Sequence, residues 1–202
     1  MHMTTDNDEE NAGMHVLGIM GSPRVGGNSD VLLDHALKGA AEAGASTDKI
    51  ILNELLINGC NDCTGCNKTG LCVIDDDLNG VLARVREADY VIHSVPVYFY
   101  SMTAQMKAYL DRWCSFYDGD WKWHKHFWPD MKGKKIGLIT VCGDQVTDVC
   151  ESVDKIFRTL CTNSLLKFAG SIRISASARG DVNGNQDALK EAFDLGRAGC
   201  EK

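Results

Sequence analysis

Strand-like and helix-like segments alternate along this chain of 202 residues, and the alternation constrains its fold more than any other feature. The first apolar run, from His15 to Met20, stops at glycine and proline, and Asn28 or Ser29 can then cap a helix. Later apolar runs give further strand candidates at residues 49–56, 89–97, 135–141 and 168–174. Helical spacing occurs at residues 78–85, 103–117, 149–160 and 187–197. Such repeated alternation predicts a doubly wound α/β fold with a five-stranded parallel sheet.

One hydrophobic core is what a chain of this length, with 44% hydrophobic residues, can support. We therefore predict a single domain over residues 14–202, preceded by a disordered acidic leader over residues 1–13. The net charge of −7 offers no basic surface for nucleic acid. No apolar run reaches the roughly 18 residues of a membrane span. Nine cysteines without a signal peptide predict a cytoplasmic protein with reduced thiols.

A loop of glycines and small polar residues, from Gly21 to Ser29, directly follows the first predicted strand. At the start of a helix, backbone N–H groups and the helix dipole favour an anion, and Arg24 adds a charged donor. The loop lacks both G-x-G-x-x-G and G-x-x-x-x-G-K-[ST], so a dinucleotide or ATP is disfavoured and the phosphate of FMN is favoured. An ordinary glycine-rich connection explains the local spacing equally well.

Two more polar or aromatic loops come at the ends of predicted strands, Pro96–Ser101 after the third and Thr140–Asp144 after the fourth. Ligands of open parallel sheets bind outside the carboxyl ends of the strands, so these loops and the Gly21–Ser29 loop should meet in one crevice. The aromatic run Tyr98–Tyr100 can flank a flavin ring, although such a run is more often part of a core.

Four cysteines recur as C-x2-C-x2-C-x5-C within the segment 58–74, at Cys60, Cys63, Cys66 and Cys72. Three thiolates at two-residue intervals can face one cubane, and a fourth can complete its ligands, which predicts a [4Fe-4S] cluster. Gly65 and Gly70 supply a tight backbone for this arrangement. Zinc is a weaker alternative, because structural zinc usually uses two separated C-x2-C pairs. Free thiols without any cofactor are the other alternative.

Four blocks together resemble the flavodoxin-like NAD(P)H-dependent FMN reductase superfamily, closest to its iron-sulfur flavoprotein branch. They are GSPRVGGNS, GCNDCTGCNKTGLCVIDDD, PVYFYSMTAQMKAYLDR and KGKKIGLITVCGD, and the resemblance covers roughly residues 14–175. It implies three layers with strand order 2-1-3-4-5, noncovalent FMN, and a homodimer or dimer of dimers. It assigns the phosphate to Ser22, Arg24, Gly27, Asn28 and Ser29. It assigns the ring to Pro96, Val97, Tyr98, Phe99, Tyr100, Ser101, Met102, Thr140, Cys142, Gly143 and Asp144.

All four tryptophans fall between residues 113 and 128, inside a predicted aromatic insertion over residues 113–131. A subunit contact is the favoured interpretation and a lid over the flavin the second. His124 and His126 are spaced for a metal, but a solvated or interface pair is favoured. Most of the other cysteines are expected to pack in the core: Cys114, Cys150, Cys161 and Cys200. A helix cap and a solvated turn account for Asp75, Asp76 and Asp77.

These features predict an FMN-dependent oxidoreductase that takes electrons from NAD(P)H or a ferredoxin-like donor. A quinone, oxygen or peroxide would accept them, and this hypothesis includes the [4Fe-4S] cluster. The flavin performs the redox step, so no side chain is predicted to be catalytic. The alternative is a cluster-free NAD(P)H-dependent reductase of FMN, quinones or nitro compounds. The third hypothesis is a non-enzymatic electron carrier or redox sensor.

Overall fold

A computed structural model describes residues 13–125, 128–143, 145 and 147–201. Of the predicted acidic leader only Gly13 belongs to these residues, and the predicted site residues Asp144 and His126 lie outside them. None of the helices in the described ranges is long and apolar enough to cross a membrane.

Five strands form one parallel sheet in the order β2-β1-β3-β4-β5, which confirms the predicted fold class. The strands are β1 His15–Met20, β2 Ser46–Ile51, β3 Tyr90–Pro96, β4 Lys135–Cys142 and β5 Lys167–Ser175. The helices are α1 Asn28–Glu42, α2 Leu78–Glu87, α3 Ala104–Asp111, α4 Trp128–Met131, α5 Glu151–Asn163 and α6 Gln186–Cys200. Short 3-10 turns lie at Leu52–Glu54, Arg112–Phe116, Thr147–Cys150 and Asp181–Gly184.

Side chains alternate across β1, so that Leu17 and Ile19 face one core and Val16 and Met20 face the other. Helices α2, α3 and α5 cover the first face, and α1 and α6 cover the second. The sheet is therefore the middle of three layers, as the strand–helix alternation predicts.

Helices α1 and α6 lie unusually close to each other, and this contact positions the loop that precedes α1. A Cβ added at Gly196 would lie 1.8 Å from the carbonyl oxygen of Ala36, and one added at Gly39 would lie 2.0 Å from that of Phe193. Only glycine leaves room for two helix backbones at this separation.

Two elements differ most clearly from the sequence predictions. Strand β2 begins at Ser46 instead of residue 49 and ends at Ile51. It is an edge strand with exposed polar residues, so its extent follows from pairing with β1 and not from hydrophobicity. The helix predicted over residues 103–117 ends at Asp111 and continues as a 3-10 turn. Residues 55–77 contain no helix or strand, and the cysteine run lies there.

Candidate functional site

The carboxyl ends of β1, β3, β4 and β5 surround a crevice of about 200 Å³. Its walls include five residues of the predicted phosphate loop, namely Ser22, Arg24, Gly27, Asn28 and Ser29. They also include five residues of the two predicted ring loops, namely Pro96, Val97, Tyr98, Cys142 and Gly143. Residues separated by more than a hundred positions in sequence thus share one concave site at the strand ends, where ligands of this sheet type bind.

The loop between β1 and α1 is shaped by its own side chains. Gly26 has φ +70°, and its N–H donates to the Asp30 carboxylate at 2.7 Å. Lys49 lies 2.9 Å from the other oxygen of Asp30. Burial opposes the charge on Lys49, but its hydrogen bonds with Asp34 and Asp30 raise its pKa. The negative charge of Asp30 is therefore neutralised from behind, and the helix start remains suitable for an anion.

Asn28 has a different role from the predicted helix cap. The residue before α1 is Gly27, and no side chain caps the helix. The Asn28 amide donates to the carbonyl of Ala178 at 2.8 Å and accepts from the N–H of Gly180 at 3.0 Å. Both the nitrogen and the oxygen of its side-chain amide are thus hydrogen-bonded, and Asn28 ties the phosphate loop to the segment that follows β5.

The loop after β3 forms a strained turn at the edge of the crevice. Tyr98 and Ser101 exchange two backbone hydrogen bonds, while Phe99 and Tyr100 have φ +47° and +63°. Bulky residues rarely adopt this conformation, which costs of order 1–3 kcal/mol each and is found mostly at functional sites. Phe99 is 100% exposed and Tyr100 71%, so this run is not part of the core.

Five predicted ring-loop residues do not line the crevice wall. Thr140 is buried within the sheet, and its hydroxyl donates to the carbonyl of Ile172 at 3.2 Å. Met102 is packed in the core on the α3 side. Ser101, Phe99 and Tyr100 lie in the turn outside the crevice wall. Cys142 is a buried wall residue beside Cys150, and burial raises the pKa of Cys150 to about 11.

Residues after β5 complete the crevice, and our sequence reasoning missed them. Ala176, Ser177 and Arg179 line the wall, and Arg179 donates to the carbonyl of Val25 at 2.5 Å. The strand-end rule that predicted the other loops applies equally to the SASARGD stretch at the end of β5. Arg179 adds a second cation near Arg24 on the phosphate side.

The four predicted cysteines line a second cavity of about 160 Å³. Burial raises the pKa of the Cys66 thiol, and negative charge on the other three cysteines of the run raises it further. Asp62 and Thr64, on either side of Cys63, have φ +55° and +57°. Gly70 has φ +74°, whereas a Cβ added at Gly65 would lie 2.7 Å from the side chain of Val73. The backbone around the cysteines is therefore locally strained, and all four cysteines line the same cavity.

Cys114 is a fifth thiol at this cavity, although the sequence analysis assigned it to core packing. It is half-buried, and burial raises its pKa, with further contributions from charge at Cys60 and Cys66. No sequence signal marks this position, since Cys114 comes from the 3-10 turn after α3, more than forty residues beyond the run. None of the nine cysteines, all of which lie in the described ranges, forms a disulfide.

Arg112 and Asp76 form an ion pair behind the cysteine cavity, with a distance of 2.8 Å and no exposed side-chain surface. This finding corrects the interpretation of Asp76 as part of a solvated turn. Burial opposes its charge, but hydrogen bonds from Arg112 and the Asn58 backbone lower the pKa of Asp76. Its second oxygen accepts from the N–H of Leu78 at 3.1 Å, near the start of α2.

The donors around this cavity are cysteine sulfurs, which are the ligands that iron-sulfur clusters use. In the described part of the chain, no three His, Cys, Asp or Glu side chains are grouped closely enough to hold one ion. The thiolates around a cubane stand farther apart than those around tetrahedral zinc, because the cluster itself is larger. Four thiols around one cavity, with a buried cation behind them, fit [4Fe-4S].

The aromatic insertion folds over the cysteine cavity. Tyr117 and Trp123 form an antiparallel bridge, and Trp121, which is 72% exposed, lines the cavity. His124 is buried, and its backbone N–H donates to the carbonyl of Phe116 at 2.8 Å, so the solvated half of the expected solvated or interface pair is wrong and the interface half stays a prediction. A contact with a second subunit stays a prediction for this segment.

Fold and crevice together define a flavodoxin-like protein with a concave site at the carboxyl ends of its strands. The family described as NADPH-dependent FMN reductase matches residues 14–171, and the chain belongs to this family. The resemblance seen in the four sequence blocks is thereby confirmed.

Individual proteins extend this comparison. An iron-sulfur flavoprotein of Archaeoglobus fulgidus is 38% identical over 128 residues, which are 63% of this chain and 54% of that protein. Another from Methanocaldococcus jannaschii is 42% identical over 49% of this chain and 51% of that protein. The chain thus spans about half the length of these curated relatives. The solved NAD(P)H:quinone oxidoreductase from Methanothermobacter marburgensis has the same fold, with TM-score 0.68 and 18% identity over 92% of this chain and 98% of that chain.

Proposed function

We propose that this chain is an FMN-dependent oxidoreductase that takes electrons from NAD(P)H or a ferredoxin-like donor and passes them to a small acceptor such as a quinone, oxygen or peroxide. The observation that carries the proposal is the crevice at the strand ends, where the phosphate loop faces the loops after β3 and β4. Membership in the FMN reductase family supports it.

The residues of the crevice divide into a charged and an apolar part. Arg24 and Arg179 supply cations beside the α1 N-terminus, where a terminal phosphate gains both the charges and the helix dipole. Pro96, Val97 and Tyr98 supply the apolar wall expected for the ring. Bound FMN would supply hydride and single-electron chemistry, while the chain orients it and limits access to it.

A [4Fe-4S] cluster held by Cys60, Cys63, Cys66 and Cys72 is the second part of the proposal. Their shared cavity supports it, as do the names of the archaeal relatives. Such a cluster exchanges single electrons, which suits a one-electron donor protein. Ligation requires thiolates, so loading releases protons from the sulfurs, and burial raises the pKa of one of them, Cys66.

Anaerobic purification tests both parts. We expect protein with flavin absorbance, FMN released on denaturation, and close to four irons and four sulfides per chain. Oxidation of NADPH or NADH with a quinone acceptor then measures the activity. Protein that neither contains FMN nor binds added FMN contradicts the oxidoreductase proposal, and FMN-containing protein without iron contradicts the cluster part alone.

A cluster-free NAD(P)H-dependent FMN, quinone or nitro reductase is the second candidate. Hydrogen bonds from Arg112 to Asn58 and Asp76 hold the cysteine segment through protein contacts, which supports this candidate. Turnover of NAD(P)H by a C60S/C66S double variant at the wild-type rate would favour this candidate. If the same double variant loses turnover with a ferredoxin-like donor but not with NAD(P)H, the cluster enzyme is favoured.

The proposed assembly is a homodimer or dimer of dimers in the cytoplasm. The exposed Phe99 and Tyr100 at the rim of the crevice support a subunit contact, because large apolar side chains at a surface commonly mark interfaces. Light scattering during gel filtration measures the mass. A monomer at micromolar concentration would contradict the proposed assembly.

A further inference from the structure

Both ends of the cysteine segment are attached to one side chain. The Arg112 guanidinium donates to the carbonyl of Asn58 at 3.1 Å and to the carbonyl of Ile74 at 3.4 Å. Asn58 and Ile74 enclose all four cysteines of the run. A segment of irregular structure is thus closed at its base by a single residue from the turn after α3.

Further contacts hold this guanidinium in a defined orientation. Arg112 donates to Asp76 at 2.8 Å and to the side-chain oxygen of Asn79 at 3.0 Å. The same carboxylate oxygen of Asp76 accepts from the backbone N–H of Asn58 at 2.9 Å. The planar, multi-donor geometry of arginine suits this set of acceptors, whereas a lysine ammonium cannot reach all of them at once.

Arg112 also matters for the charge of the cavity. It is the one cation among the described residues that line the cavity, whose other charged wall residues are Asp62 and Asp118. Burial opposes its charge, but Asp76 and a nearby Cys72 raise the pKa of Arg112. Its Nε is buried and has no hydrogen-bond partner among the described residues. A buried donor of this kind is suited to an anionic sulfur acceptor.

We propose that Arg112 is the positioning residue of the cysteine site: it closes the segment so that the four thiols face one cavity, and it supplies the positive charge that balances the bound cluster. This inference rests on the cluster part of the proposed function. It assigns the organisation of the site to a residue outside the cysteine run, and Asp76 orients that residue.

The test compares R112Q, which removes the charge, with R112K, which keeps the charge but not the set of hydrogen bonds. K107Q removes an exposed cation from the neighbouring helix α3 and is the matched control. Each protein is purified anaerobically and reconstituted with iron and sulfide. The readouts are iron per chain, the half-life of the cluster against a chelator, its midpoint potential, and FMN binding as a measure of folding.

We expect R112Q to bind FMN normally, to lose its cluster about tenfold faster than wild type, and to have a lower midpoint potential. The potential falls because removal of a nearby positive charge disfavours the more negative reduced cluster. R112K should restore most of the potential but not the half-life, and K107Q should match wild type.

The inference is overturned if R112Q equals wild type in both half-life and potential, or if K107Q changes them as much. If R112Q fails to bind FMN because it does not fold, R112K decides the matter, since a wild-type half-life there excludes the positioning role. Wild-type protein with FMN but no iron overturns this inference and leaves the oxidoreductase proposal intact. Protein with a cluster but no FMN contradicts the oxidoreductase proposal and leaves this inference intact.

Discussion

The two candidate sites are held in place by different means. The crevice proposed for the flavin lies on the ends of four strands, whose order and register are maintained by the hydrogen bonds of the sheet. The cysteine cavity lies in residues 55–77, which have no helix or strand, and it depends on side-chain contacts with Arg112 and Asp76. Topology therefore positions the first site, and one buried ion pair positions the second.

This difference predicts separate responses to mutation. A change at the ion pair should alter the cysteine cavity and global stability while the crevice of the folded protein keeps its affinity for FMN. A change in the phosphate loop should alter FMN affinity with little effect on the cysteines. The backbone conformations at Phe99 and Tyr100, and at Asp62 and Thr64, show that both sites nevertheless contain local strain.

The largest expected effect comes from Asp76→Asn, which leaves the Arg112 charge buried without its partner. We expect the free energy of unfolding to fall by about 3 kcal/mol, the lower end for a broken buried pair, because the surrounding segment is accessible to solvent. Urea unfolding at pH 7 measures this. Asp75→Asn changes the exposed neighbour and should stay within about 0.5 kcal/mol of wild type. Equal effects of both substitutions would contradict the role given to the ion pair.

The pH dependence of the stability difference between wild type and Asp76→Asn provides an independent check. In the unfolded chain Asp76 has its ordinary pKa of 3.8, and in the folded protein its pKa is lower. Its contribution is therefore fully present above pH 3.8 and is lost as pH falls through the folded-state pKa, because the unfolded chain then binds more protons. The stability difference between wild type and Asp76→Asn should be constant from pH 7 to 5 and should shrink below 3.8. A difference that shrinks already between pH 7 and 5 would point to another group.

Arg24→Met tests the phosphate side of the crevice. We expect the dissociation constant for FMN to rise at least about tenfold, or roughly 1.5 kcal/mol, because one charge-assisted hydrogen bond to the phosphate is lost. Riboflavin lacks the phosphate and should bind both proteins equally. Flavin fluorescence measures both affinities, and Lys38→Met, at an exposed cation of α1, is the control. A parallel loss of riboflavin affinity would show that Arg24 does not act on the phosphate.

Two glycine-to-alanine substitutions, one at each site, compare the rigidity of the sites and have the smallest expected effects. At Gly27 an added Cβ would lie 2.9 Å from the carbonyl oxygen of Arg24, so the phosphate loop must shift. We expect FMN affinity to fall about fivefold, or roughly 1 kcal/mol. At Gly65 the added Cβ would meet Val73, an exposed side chain that can rotate away, and stability should change by less than about 0.5 kcal/mol. Titration with FMN and urea unfolding measure the pair, and a larger effect of Gly65→Ala would reverse the comparison.

Much of the crevice could be predicted because each contributing loop follows an apolar strand. The failures have physical causes. Asparagine is a common helix-capping residue, but the side-chain oxygen of Asn28 accepts a hydrogen bond from the backbone after β5, more than 150 residues away. Residues 176–179 were missed only because the rule for strand ends was not applied to β5.

Less of the cysteine site could be predicted. The spacing of the run indicates that four thiols can bind one cluster, and the structure places all four on one cavity. The positions of Arg112 and Cys114 carry no such signal, because the turn after α3 meets the cysteine segment only in the folded chain. A charged residue in a helical pattern is ordinarily expected to be exposed, yet Arg112 is fully buried.

By itself the sequence determined the layers of the fold, the place of the phosphate loop and the identity of the four thiols, because hydrophobic period and residue spacing are local properties. Only the tertiary structure decided that Asn28 joins two loops, that Arg179 enters the crevice, and that Arg112 closes the cysteine segment. These roles depend on distances between residues far apart in the chain, and such distances exist only once the sheet and its helices have packed.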